Sequence, residues 1–150
     1  MVTTNLLSEF SLFKDLPEPL LMAIAAIAEE VSAKNGEVVF REGEKADKLH
    51  FLVNGSVALR VKLTSRPESV TVSFVSTPYQ SFGWSGIVAP NHYTSSAECD
   101  EDSNLIIIPA GPFLKLLEAN PESGFKVMQR ITEIIADRLR NSRQVLIKTM

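Results

Sequence analysis

The chain has 150 residues, 45% of them hydrophobic and 22% charged, with a formal net charge of −3. That composition is too apolar for a disordered tail. Its acidic balance excludes a duplex-binding surface unless basic residues cluster locally, because such surfaces neutralise phosphates with Lys and Arg. The single cysteine, Cys99, excludes an intrachain disulfide and suits a reducing compartment.

Met1 to Phe10 lacks the basic and apolar regions of a signal peptide. The run Leu20 to Ala28 falls short of the roughly 20 residues that cross a bilayer. The expectation is one soluble cytoplasmic domain over residues 1–150, with no membrane or nucleic-acid partner.

Leu16-Pro17-Glu18-Pro19 reads as a helix start, because proline is tolerated in a first turn. Apolar residues at Leu20, Leu21, Ile24, Ile27, Ala28 and Val31 extend that helix, and Asn35-Gly36 ends it. From Glu37 the character changes. Val38–Phe40, Leu49–Val53, Val57–Val61, Val70–Val75 and Leu105–Ile108 are short runs rich in β-branched residues. Glu42-Gly43-Glu44, Asn54-Gly55 and Asp100-Glu101-Asp102-Ser103 separate them as turns, and Asn54-Gly55 reads as a hairpin.

The fold expected is mainly β with flanking helices: an antiparallel, jelly-roll-like β-roll over about residues 37–109, behind an N-terminal helix. C-terminal helices follow over about residues 111–147, a short one from Pro112 and a long one from about Pro121. The long helix carries an apolar stripe stepping by three and four. Its length of about 40 Å, at 1.5 Å per residue, exceeds what the roll needs. Met128, Ile131, Ile134, Ile135 and Leu139 are therefore expected to form a homodimer seam. The bland alternative is that the stripe only packs on the roll.

No catalytic constellation is present. Ser85 lies in Gly83-Trp84-Ser85-Gly86, which lacks the spacing of a hydrolase elbow. His50 and His92 show no zinc-ligand spacing and read as ordinary surface histidines. Asp100, Glu101 and Asp102 offer too few ligands for a calcium loop. Cys99 has no activating neighbour and reads as a buried strand residue. A non-enzyme with no metal or resident cofactor is expected.

Three patterns carry a resemblance. They are Leu12-Phe13-Lys14-Asp15-Leu16, the long run Val39-Phe40-Arg41-Glu42-Gly43-Glu44 to Asn54-Gly55, and Phe82-Gly83-Trp84-Ser85-Gly86-Ile87-Val88. Their order resembles the cyclic-nucleotide-binding domain of the catabolite-activator and protein-kinase-regulatory-subunit superfamily. The likeness spans nearly the whole chain. It implies a phosphate-binding cassette, where a glycine admits the ligand to the amide groups of a short helix. In the family, a cassette glutamate takes the ribose hydroxyl and a cassette arginine pairs with the phosphate.

By this resemblance the ligand-binding residues are Phe82, Gly83, Trp84, Ser85, Gly86, Ile87, Tyr93, Thr94 and Ser95. Trp84 stands where the family has its glutamate, and Tyr93 where it has its arginine. No Arg or Lys occurs between Pro67 and Leu114. A truncated charge pair costs roughly 2–5 kcal/mol. What remains to hold an anion is the amides near Ser85-Gly86-Ile87 and the hydroxyls of Tyr93, Thr94, Ser95 and Ser96.

The resemblance implies a regulatory sensor that takes a cyclic nucleotide or related small anion and signals through the C-terminal helix. The alternative is a scaffold or dimerisation module whose pocket is plugged by Trp84 and Tyr93. A transcription regulator fits less well, because the chain ends at Met150, before any helix-turn-helix.

Overall fold

The computed structural model describes residues 1–150. A short helix α1 (Thr4–Ser8) starts at Thr3, whose hydroxyl accepts from the Leu6 amide at 3.1 Å. A 3-10 turn over Ser11–Phe13 follows, then α2 (Glu18–Ile27) with proline in its first turn. Leu20, Leu21 and Ile24 are the buried face of α2.

Contrary to expectation, α2 stops at Ile27. Ala28 is extended, and strand β1 (Glu29–Ala33) takes over. Val31, expected as the last helical apolar residue, lies opposite Leu105 in a ladder with β8 (Ser103–Pro109). Helical spacing at Val31 is coincidental; pairing with a distant strand overrides local preference. The roll therefore begins near residue 29 rather than 37.

The other strands are β2 (Val38–Phe40), β3 (Lys48–Asn54), β4 (Val57–Lys62), β5 (Ser69–Val75), β6 (Ser81–Phe82) and β7 (Ser96–Cys99). They form two antiparallel sheets, ordered β1-β8-β3-β6 and β2-β7-β4-β5. Three of the strands, β1, β6 and β7, are too short or too polar to stand out by alternation.

Asn54-Gly55 does not close a hairpin. β3 and β4 belong to different sheets, so this corner carries the chain from one sheet to the other. Gly55 has φ of 108°, and a Cβ there would lie 2.2 Å from the Ser103 hydroxyl. The Ser56 amide donates to that same hydroxyl at 3.1 Å. A tight corner and a strand-to-strand turn need the same residue types, which is why the local signal misled.

Two cores result. The smaller lies between the sheets and includes Phe40, Leu52, Val57, Val75, Phe82, Tyr93 and Leu105. The larger lies between the outer face of the first sheet and the helices. There Leu49, Phe51, Ile106 and Ile108 meet Phe10, Phe13, Ile24, Phe113, Val127 and Ile131. Strand β3 is thus buried on both faces, with Leu49 and Phe51 toward the helices and Leu52 toward the opposite sheet.

His50 is consequently not a surface residue. It is 2% exposed, with its ring packed against Phe40 and Phe82. Alternation along β3 misleads here because no face of that strand meets water.

After β8 come α3 (Ala110–Ala119) and the long helix α4 (Pro121–Thr149). Arg130 ties α4 to the N-terminal segment by donating to the carbonyls of Leu12 and Lys14, at 3.1 and 2.6 Å. The last buried position of α4 is Ile131, and residues 139–149 are exposed throughout.

Candidate functional site

An open cleft of about 370 Å³ lies between the segment 83–95, the second sheet and the middle of α4. Its floor and walls are Phe40, Leu59, Gly83, Trp84, Ser85, Val88, Ala89, Pro90, His92, Tyr93, Thr94 and Ser95, with Ile135 and Arg138 from α4. That volume lies within the roughly 300–1,000 Å³ range of small-molecule sites.

The cleft owes its shape to the turn after β6. Gly83 has φ of 70°, a left-handed conformation that glycine adopts freely, and it caps a 3-10 turn over Trp84–Ile87. A Cβ on Gly83 would lie 2.8 Å from His50 Nδ1 and 2.9 Å from the Phe40 ring. The backbone there rests directly on the inter-sheet core. The Asn91 side chain donates to the carbonyls of Ser85 and Gly86, at 3.1 and 3.2 Å, and fixes the turn. Gly86 packs below, where a Cβ would meet Ala110 at 2.9 Å.

The expected ligand residues divide. Gly83, Trp84, Ser85, Thr94 and Ser95 line the cleft. Phe82 lies fully buried in the inter-sheet core, Ile87 packs against the helical core, and Gly86 sits beneath the turn. Tyr93 forms part of the wall but turns its hydroxyl inward to the Lys48 carbonyl, at 3.4 Å.

Its ring stacks on Phe40 at 3.9 Å and 11°, and the residue is 6% exposed. Burial, reinforced by the nearby Asp47, pushes its phenol up to about 12. The hydroxyl expected to meet an anion thus donates to a backbone carbonyl in this structure, while the residue keeps its place in the cleft wall. Nor does the phenol plug the cleft, which is open.

Arg138 supplies what the cassette lacks. Its guanidinium carbon lies 4.3 Å from the Trp84 ring centroid, a cation–π distance. It donates to the Ser81 carbonyl, while the Trp84 indole donates to the Ser81 hydroxyl at 3.2 Å. Arg138 has no carboxylate partner; the ion pair on α4 joins its neighbours Arg140 and Asp137. Burial pulls its basicity down, as expected for a cation withdrawn from water without a counter-charge.

The cleft is therefore lined by one guanidinium and by no carboxylate. Reading along the cassette cannot find Arg138, because it lies more than forty residues beyond Tyr93 in sequence. The available signal was its place on α4 near Ile135, which also faces the cleft.

His50 lies behind Gly83 with its Nδ1 unpartnered. Burial first, then the charge of Lys48, pulls its pKa down to about 4, against an opposing effect of Asp47. The ring is neutral at pH 7.

The seam residues on α4 also divide. Ile131 is 4% exposed inside the chain's own core, so it is unavailable to a partner. Met128 packs partly against the same core. Ile134 lines a second groove beside Phe10 and Tyr79. Ile135 and Leu139 are 44% and 58% exposed. No helix is long and apolar enough to cross a membrane.

An open cleft at a glycine-capped turn, set on a two-sheet roll and overlaid by a long helix, defines the class of the cyclic-nucleotide-binding regulatory fold. The family profile described as Cyclic nucleotide-binding domain matches residues 30–120, and the chain belongs to that family. A crystal structure from Geobacter metallireducens GS-15, of a protein named for cyclic-nucleotide binding, is 32% identical with a TM-score of 0.80. The alignment covers 93% of this chain and 99% of that one.

A cyclic nucleotide-binding domain from Methylobacillus flagellatus KT has a TM-score of 0.82 at 16% identity, covering 98% of this chain and 82% of that one. The Thermus thermophilus catabolite activator protein has a TM-score of 0.72 at 20% identity, over 92% of this chain and 62% of that one. At these identities the last two show the fold alone.

Proposed function

We propose that this domain is a non-catalytic sensor, which binds a cyclic nucleotide or related small anionic effector in the cleft and signals occupancy along α4. The observation that carries the reading is Arg138, a partly buried guanidinium in an open cleft with no carboxylate opposite it. A guanidinium is suited to phosphate or carboxylate, and its strength grows as water is withdrawn.

Because Arg138 belongs to α4, an anion that engages it acts directly on the helix. A shift of that kind requires the ligand to bind one arrangement more tightly than the other. Phe113–Leu117 and the start of α4 form the hinge in this reading. The exposed end of α4, with Leu139, Val145, Leu146 and Ile147, provides the surface for a homodimer or downstream partner. The protein acts in the cytoplasm. The plugged-scaffold alternative is disfavoured by the inward turn of Tyr93.

The test is a thermal-shift and calorimetric screen with cyclic AMP, cyclic GMP, cyclic dinucleotides and simple organic anions. A saturable stabilisation by at least one of them, lost in Arg138→Gln, is expected. Silence from every compound at millimolar concentration would sink the sensor reading.

A further inference from the structure

The cleft makes a distinction among anions that the family resemblance does not. Its one charged group is Arg138. Much of the remaining wall is apolar: Leu59, Val88, Pro90 and Ile135. No Asp or Glu reaches it, so nothing of carboxylate strength is present to accept a ribose hydroxyl. Where the resemblance expects that acceptor, the Trp84 indole donates its N–H to Ser81 and its face is covered by Arg138. The neutral hydroxyls of Ser85, Thr94 and Ser95 and the imidazole of His92 remain, and hydrogen bonds to neutral groups are about half as strong as charge-assisted ones.

Resting on the sensor reading above, we propose that the effector is a small organic anion whose charge is carried on an apolar body, held by Arg138 without recognition of a ribose hydroxyl. The anionic head meets the guanidinium, and the apolar body displaces water from the walls. A polar sugar laid against Leu59, Val88, Pro90 and Ile135 finds no partner there for its hydroxyls. A site built to accept a hydroxyl rejects analogues that lack it; a site without such an acceptor is indifferent.

Trp84 is the only tryptophan of the chain and lines the cleft, so its fluorescence reports occupancy directly. Six probes separate the possibilities: phenyl phosphate, benzoate, benzyl alcohol, inorganic phosphate, cyclic AMP and 2′-deoxy cyclic AMP. Phenyl phosphate and benzoate are expected to change the emission saturably. Benzyl alcohol and inorganic phosphate should bind at least tenfold more weakly, since each lacks one half of the recognised chemistry. The ribo and deoxy cyclic nucleotides should differ by less than about threefold.

Calorimetry on Arg138→Gln and Arg138→Lys, with circular dichroism to confirm the fold, should show binding lost in the first and partly kept in the second. If cyclic AMP binds tenfold or more tightly than its deoxy analogue, a ribose acceptor exists. The sensor reading then stands and this inference fails. If inorganic phosphate matches phenyl phosphate, the apolar body contributes nothing and the inference fails likewise. If phenyl phosphate and benzoate are silent, this inference fails, whereas the sensor reading falls only if cyclic GMP and the cyclic dinucleotides are silent as well.

Discussion

The guanidinium of Arg138 lies 4.3 Å from the centroid of the Trp84 ring, and both side chains bond to Ser81. This contact is the physical link between the cassette turn and α4. A partly desolvated cation–π pair contributes about 1–2 kcal/mol. Arg138→Gln should lower stability by about that amount in urea unfolding, and should change Trp84 emission without ligand. An unchanged emission spectrum would mean that the contact does not persist in solution.

Gly83 controls the shape of the cleft floor. Gly83→Ala places a Cβ against His50 and Phe40 in a left-handed backbone. The expected loss is about 1–3 kcal/mol. Gly55→Ala should be at least as harmful, because its Cβ meets Ser103 backbone and side-chain atoms within 2.6 Å. Denaturant midpoints for the two variants check the order.

His50 should make stability fall in mild acid. Its folded pKa of about 4 lies below the ordinary histidine value of 6.5, so the unfolded chain takes up its proton first. The contribution is fully present above about pH 6.5 and is lost as pH falls toward the folded value. The limiting slope is about 1.4 kcal/mol per pH unit. Lys48 deepens the depression and Asp47 opposes it. His50→Phe, which keeps a ring among Phe40, Phe82 and Tyr93, should flatten the stability profile between about pH 6.5 and 5, as followed by urea unfolding.

The two faces of α4 should respond differently to substitution. Ile131→Ala removes a buried core residue and should cost about 2–5 kcal/mol with no change in oligomeric state. Leu139→Asp lies on an exposed face and should cost the single chain within about 0.5 kcal/mol, while lowering the mass seen by light scattering. An unchanged mass would remove Leu139 from any shared seam.

Cys99 should be inert in the folded protein. It is buried, and burial raises its thiol further from ionisation, with Glu37, Asp102 and Glu98 adding to that effect. Alkylation by iodoacetamide at pH 7.5 should be slow, and should accelerate sharply in unfolding concentrations of urea. Rapid labelling of the native protein would contradict the strand placement.

Much of the architecture was legible along the chain. Short runs rich in β-branched residues announced β2, β3, β4, β5 and β8, because such side chains suit a pleated strand, and the three-and-four stepping announced α4. Gly83 and Trp84 were likewise readable as part of the cassette turn. Tertiary contact decided the rest. Val31 became a strand residue because β8 lay waiting for it, and His50 became buried because helices cover the face of β3 that a solvated sheet would expose. The cation of the cleft came from α4, not the cassette. Local pattern reports what a residue prefers; only the folded chain determines which distant group stands opposite it.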